Sequence, residues 1–129
     1  MSKYIDIIRM VDGYRPNALD EQLKLWWLVN LDGQLAVELM QLDPVAAQNA
    51  LDCEYPDGLN HEPLIGYPYE ELYLHYLEAK ISYTENELDA YQNAMEAYNA
   101  AYRNYAVWFL NHYDPVQGRL PGRFANVRK

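Results

Sequence analysis

The sequence predicts an all-α fold: a small helical bundle of about three long helices plus short helices, with a proline-rich loop and an extended C-terminal arm. Three observations lead there. Apolar residues recur at steps of three and four over long stretches, the helical period. No stretch alternates apolar and polar residues long enough for a convincing strand. Prolines and glycines concentrate in residues 52–68 and again after Asp114, which marks a loop and a tail rather than sheet turns.

Residues 3–11 read as a short amphipathic helix, with Ile5, Ile8 and Val11 three apart and Tyr4 four before Ile8. Asp12-Gly13 ends it. Arg15-Pro16-Asn17 is a turn, and Asn17 or Asp20 can cap the next helix. Residues 19–42 read as the first long helix, with Leu19, Leu23, Trp26, Trp27, Leu31, Leu35, Leu39 and Leu42 as a wide inward stripe. Gly33 inside it costs about 1 kcal/mol relative to alanine and suggests a kink or a close contact. Asp43-Pro44 stops the helix, and Val45 to Leu51 can add one or two turns.

Residues 52–68 hold Pro56, Pro63, Pro68, Gly58 and Gly66, a density of breakers that neither helix nor central strand survives. The apolar stretch Pro63 to Pro68 should lie on the core or on a partner, with room for a very short strand at Pro63 to Ile65. Residues 69–83 read as a second long helix, with Leu72, Tyr73, Tyr76, Leu77 and Ile81 inward. Thr84-Glu85-Asn86-Glu87 fits a capping box that opens the next helix. Residues 85–112 form the longest helix. Leu88, Tyr91, Met95, Tyr98, Tyr102, Tyr105, Phe109 and His112 follow a 3.5-residue repeat, flanked by a stripe of Ala90, Ala94, Ala97 and Ala101. Within it, Tyr91, Met95, Tyr98, Tyr102, Tyr105 and Phe109 should be mostly buried against residues 19–42 and 69–83.

At 129 residues and 15.1 kDa the chain suits one domain, residues 1–114, followed by a basic arm, residues 115–129. With tyrosine set aside, the longest apolar runs are Leu25 to Val29 and Ala106 to Leu110, far short of the roughly 20 residues of a membrane span. The opening residues carry Lys3, Asp6 and Arg9 and do not read as a secretory leader. One cysteine, Cys53, allows no internal disulfide, so the expected setting is a reducing compartment. The net charge is −9, but residues 1–114 carry −13 and residues 115–129 carry +4 from Arg119, Arg123, Arg128 and Lys129. An acidic body disfavours binding to a phosphate backbone. Tyrosine is the other anomaly: 13 residues against two phenylalanines, a ring with a polar tip suited to half-buried and interface positions.

Catalytic chemistry finds little footing. No glycine-rich phosphate loop is present, and Ser2 and Ser82 lack a nucleophile elbow. Cys53 sits between Asp52 and Glu54, whose charges weaken a thiolate. Glu71, His75 and Glu78 share a helical face at i, i+4 and i+7, but no second ligand pair accompanies them, so a solvated acidic face is the preferred reading. The residues point to no enzyme, no metal and no cofactor. They point to a helical interaction or assembly protein.

Gly13-Tyr14-Arg15-Pro16-Asn17, Lys24-Leu25-Trp26-Trp27-Leu28 and Leu31-Asp32-Gly33 form a distinctive set with Pro63 to Tyr73, Glu78-Ala79-Lys80-Ile81, Tyr91 to Met95 and Tyr98 to Tyr102. Over residues 10–113 this set resembles the head–tail connector (adaptor) proteins of tailed phages and prophages of Gram-positive bacteria. The resemblance implies a virion neck protein, made in the host cytoplasm. About a dozen copies would form a ring between the portal protein and the stopper or tail-completion proteins. DNA would pass through without sequence-specific binding, and Glu78, Glu85 and Glu96 are the candidates for a channel surface that repels it. The arm would dock on the portal or a neighbouring subunit through Arg119, Leu120, Arg123, Phe124, Val127, Arg128 and Lys129, with residues 116–129 ordering on contact. The alternatives are a head-completion, stopper or tail-terminator protein, and an acidic helical regulatory or inhibitor module.

Overall fold

The computed structural model describes residues 2–112, and within them every regular element is helical. Five α-helices follow one another: α1 Tyr4–Tyr14, α2 Glu21–Gln34, α3 Pro44–Leu51, α4 Glu71–Thr84 and α5 Leu88–His112. A π-helical turn, Leu35–Leu39, extends α2, and a single 3-10 turn, Asp57–Asn60, lies in the proline-rich loop. The described residues contain no strand, including at Pro63 to Ile65. The proposed arm lies outside the described residues, as does the boundary at residue 114.

α1 runs past Asp12-Gly13 to Tyr14, and the Arg15 amide still donates to the Val11 carbonyl. Its buried face is Tyr4, Ile7, Ile8 and Val11, so Ile7 rather than Ile5 completes the i, i+3, i+4, i+7 pattern. In α2 the inward set is Lys24, Leu25, Trp27, Leu28, Leu31 and Asp32. Trp26, expected inward, is 62% exposed. The buried arc of α2 is made by the neighbouring pairs Lys24–Leu25, Trp27–Leu28 and Leu31–Asp32, and Trp26, about 100° from Trp27, falls outside it.

The π-turn corrects the rest of that stripe. Met40 donates its amide to the Leu35 carbonyl at 3.1 Å, five residues back. The wider turn inserts one residue into the period. Leu39 therefore falls to a half-buried position, while Ala36 and Met40 enter the core beside Leu35 and Leu42. Gln41, at φ 59°, then reverses the chain into α3. α3 realises the turns allowed after Asp43-Pro44. Asp43 caps it, its carboxylate accepting from the amides of Val45 and Ala46, and Pro44 sits at the first position, where no amide is needed.

α4 is the central element, packed on α1, α2 and α5. Leu72, Tyr73, Leu77 and Ile81 are fully buried in it. Thr84 does not open a capping box. It closes α4, its hydroxyl donating to the Lys80 carbonyl at 2.9 Å, and Asn86 at φ 60° makes the reversal into α5. Asparagine tolerates that left-handed backbone better than most residues. The result is a tight αα-hairpin.

Candidate functional site

The geometry begins with a buried polar centre that periodicity did not reveal. Asp32 is fully enclosed. Its carboxylate accepts from the hydroxyl of Tyr4, from the hydroxyl of Tyr73 at 2.5 Å and from the Leu64 amide at 3.0 Å. The Tyr73 oxygen also accepts from the Ile65 amide at 2.8 Å. One carboxylate thus joins α1, α2, the loop and α4. It also explains how Leu64 and Ile65, in a segment without secondary structure, sit inside the core: their amides have partners. Burial, and then the Asp32 charge, hold the Tyr73 hydroxyl protonated well above the usual tyrosine range. With Asp32 fully enclosed, this centre pins the surrounding segments together. Lys24 makes a smaller one: 2% exposed, it contacts Asp12 at 2.7 Å and ties the end of α1 to the start of α2.

The α4–α5 hairpin explains much of the tyrosine excess. Tyr69, Tyr76 and Tyr83 are spaced by sevens, as are Tyr91, Tyr98 and Tyr105. Running in opposite directions, they meet in three rungs, Tyr69–Tyr105, Tyr76–Tyr98 and Tyr83–Tyr91, each with ring centroids 5.3 Å apart. A heptad on each strand of an antiparallel pair places equivalent residues at every second turn. The ladder is not uniformly covered. Tyr105 is 2% exposed at one end, whereas Tyr83 is 62% exposed at the other. Of the stripe expected to be buried, only Tyr105 and Phe109 are so. Tyr91, Met95, Tyr98 and Tyr102 are half-buried. The extensive packing of α5 is on α4, not on residues 19–42 as well, because a single helix seats one side of the stripe and leaves its flank open.

The last turns of α5 are apolar on both sides. Tyr105 and Phe109 point into the core, while Val107 and Leu110 point away, 60% and 68% exposed. A helix that is apolar all round belongs in an environment covered all round. A second uncovered surface lies across the molecule's other helices. α2, its π-turn and α3 enclose a groove of about 600 Å³, lined by Trp26, Val29, Val37 and Leu51 with Glu38 and Asp52.

The three channel candidates occupy different settings. Glu78 is half-buried on α4, where it and Glu71 oppose ionisation of Tyr14 on α1, behind the larger effect of burial. Glu85 lies in the hairpin turn, paired with Arg15 at 3.1 Å, and Arg15 also holds Glu87 at 2.8 Å. Glu96 is exposed on α5. Glu78 and Glu85 both face the end of α1, near Tyr14 and at Arg15, while Glu96 lies on α5. The arm residues Arg119, Leu120, Arg123, Phe124, Val127, Arg128 and Lys129 lie outside the described residues. His75 contacts Glu71 at 3.0 Å, and no group of three or more histidine, cysteine, aspartate or glutamate side chains among the described residues is placed to hold a metal ion. No helix among them is long and apolar enough to cross a membrane.

No family model, no curated protein and no solved structure matches this chain.

Proposed function

We propose that this chain is a structural assembly subunit, a neck adaptor of the head–tail connector kind that its sequence resembles. The observation that supports this reading is the end of α5, apolar inward through Tyr105 and Phe109 and outward through Val107 and Leu110. Exposed large apolar residues on a rigid helix, next to half-covered aromatics, suit a surface completed by a neighbouring subunit. The uncovered flank of α5 provides the length for side-by-side packing around a ring, with the portal and the stopper or tail-completion proteins above and below. The acidic body suits a channel through which DNA slides.

The test is electron microscopy of the full chain, alone and with the portal protein of the same phage. Closed rings, or rings seated on the portal, are expected. Val107→Lys with Leu110→Glu should abolish them and leave the circular dichroism and melting temperature unchanged. A chain that stays monomeric and never joins the portal rejects the adaptor reading. Loss of fold in the double variant would show instead that this end of α5 is covered within the subunit.

A further inference from the structure

We infer that the groove between α2, its π-turn and α3 is the docking seat of the chain's own C-terminal segment, residues 115–129. The first argument is charge. No lysine or arginine occurs between Lys24 and Lys80, and every wall of the groove is drawn from that stretch. Glu38 and Asp52 line it with no basic side chain among the lining residues. Residues 115–129 carry four basic residues and no acid, the densest positive stretch in the chain. Elsewhere two of the bases are already engaged: Lys24 by Asp12, and Arg15 by Glu85 and Glu87.

The second argument is the match of apolar groups. Trp26 stands 62% exposed at the groove, and Val29 and Val37 are half-buried there. The π-turn builds this side: its extra residue carries Val37 and Glu38 together into the lining. The segment alternates Arg119, Leu120, Arg123, Phe124, Val127 and Arg128, so apolar anchors come interleaved with cations. An aromatic anchor flanked by arginines is the residue type that dominates interface energies. The third argument is reach. From His112 an extended chain carries Phe124 up to about 40 Å, comparable to the length of α5 itself. The segment can therefore span the subunit, whether it seats on its own body or on a second copy.

Cys53 lines the same groove and is the chain's one cysteine, which supplies the test. In the full chain, Ala125→Cys, which keeps the Phe124 anchor, under mild oxidation should yield a disulfide between Cys53 and the thiol introduced at position 125. It should form roughly tenfold faster than with Arg103→Cys, a control on exposed α5, because docking raises the effective concentration. A monomeric and a dimeric cross-linked product both place the segment in the groove. Salt at about 1 M, which shortens screening to roughly 3 Å, should remove most of the rate advantage, as should Glu38→Lys with Asp52→Lys at low salt. Cys53 also packs close to Gly58, so a second pair guards against a shielded thiol: Gln48→Cys with Ala125→Cys on a Cys53→Ser background, Gln48 being an exposed groove residue. Rates equal to the Arg103→Cys control in both pairs, or rates indifferent to salt and to the charge reversals, overturn the inference. The adaptor reading would stand untouched, since ring formation is measured separately.

Discussion

The surroundings of Asp32 and the α4–α5 tyrosine ladder use the same side chain in opposite ways. Tyr4 and Tyr73 are fully buried, and both hydroxyls donate to one carboxylate. In the ladder the rings meet edge-on or tilted, and the buried Tyr105 hydroxyl has no hydrogen-bond partner among the described residues. The first arrangement locks four segments into one geometry, because each donor has a single acceptor to satisfy. The second is a graded surface, closed at Tyr69–Tyr105 and open at Tyr83–Tyr91. The pinned core holds one geometry, and the aromatic face leaves one end of the ladder uncovered.

The sharpest way to break the pinned half is Asp32→Ala. It leaves Tyr4, Tyr73 and the Leu64 amide facing an apolar void, and a loss of about 3–5 kcal/mol is expected, enough to unfold a marginal domain. Urea unfolding with fluorescence and circular dichroism should show it. A loss under about 1 kcal/mol would mean that water replaces the carboxylate and that the segments are not pinned by it.

The contrast along the ladder is tested by a pair of substitutions. Phe109→Ala, at a buried position of α5, should cost roughly 3–5 kcal/mol. Tyr98→Ala removes the middle rung from a half-buried site and should cost less, about 1–2 kcal/mol, while weakening the proposed self-association more. Thermal melts read the first difference, and sedimentation at several concentrations reads the second. Equal losses of stability would make the ladder uniformly internal and erase the difference between its two ends.

The smallest expected effect is alkaline. Tyr73 keeps its proton in the fold to a higher pH than in the unfolded chain, from burial first and the Asp32 charge second. Tyr98 and Tyr105 are raised as well, chiefly by burial. A folded-state pKa above the unfolded one means stability that is complete below about pH 10 and falls as pH rises past it. For Tyr73 the slope is roughly 1.4 kcal/mol per pH unit while the fold holds the proton. Denaturant midpoints measured between about pH 9 and 11 should show the decline, and Tyr73→Phe should reduce its slope, leaving the share of Tyr98 and Tyr105. An unchanged slope in that variant would place the alkaline sensitivity in the ladder instead.

Much of the architecture was legible because helical periodicity and breakers are local. The two long helices at residues 69–83 and 85–112 were readable from their apolar period, α3 from Asp43-Pro44, and the loop from its prolines. Local rules also misled where two local solutions compete. Thr84 had the sequence of an N-cap, yet its hydroxyl bonds back to Lys80 and ends α4. Trp26 and Trp27 were equally apolar, and only packing chose Trp27 for the core. Leu39 lost its place to Met40 because a π-turn, which has no clear sequence signature, shifted the register.

Asp32 was hidden for a related reason. A single aspartate in an apolar helix reads as a polar position until the partners that satisfy it come from distant elements, 28 to 41 residues away. The sequence by itself determined that the chain is helical, where its helices break, that its body is acidic, and that α4 and α5 carry matching tyrosine heptads. These follow from backbone preference and side-chain period, which neighbours in sequence settle. Tertiary structure alone decided which apolar faces are covered, which charge is buried and where a groove opens. Burial depends on what the rest of the chain brings to each face, and periodicity marks a face as apolar without saying what covers it.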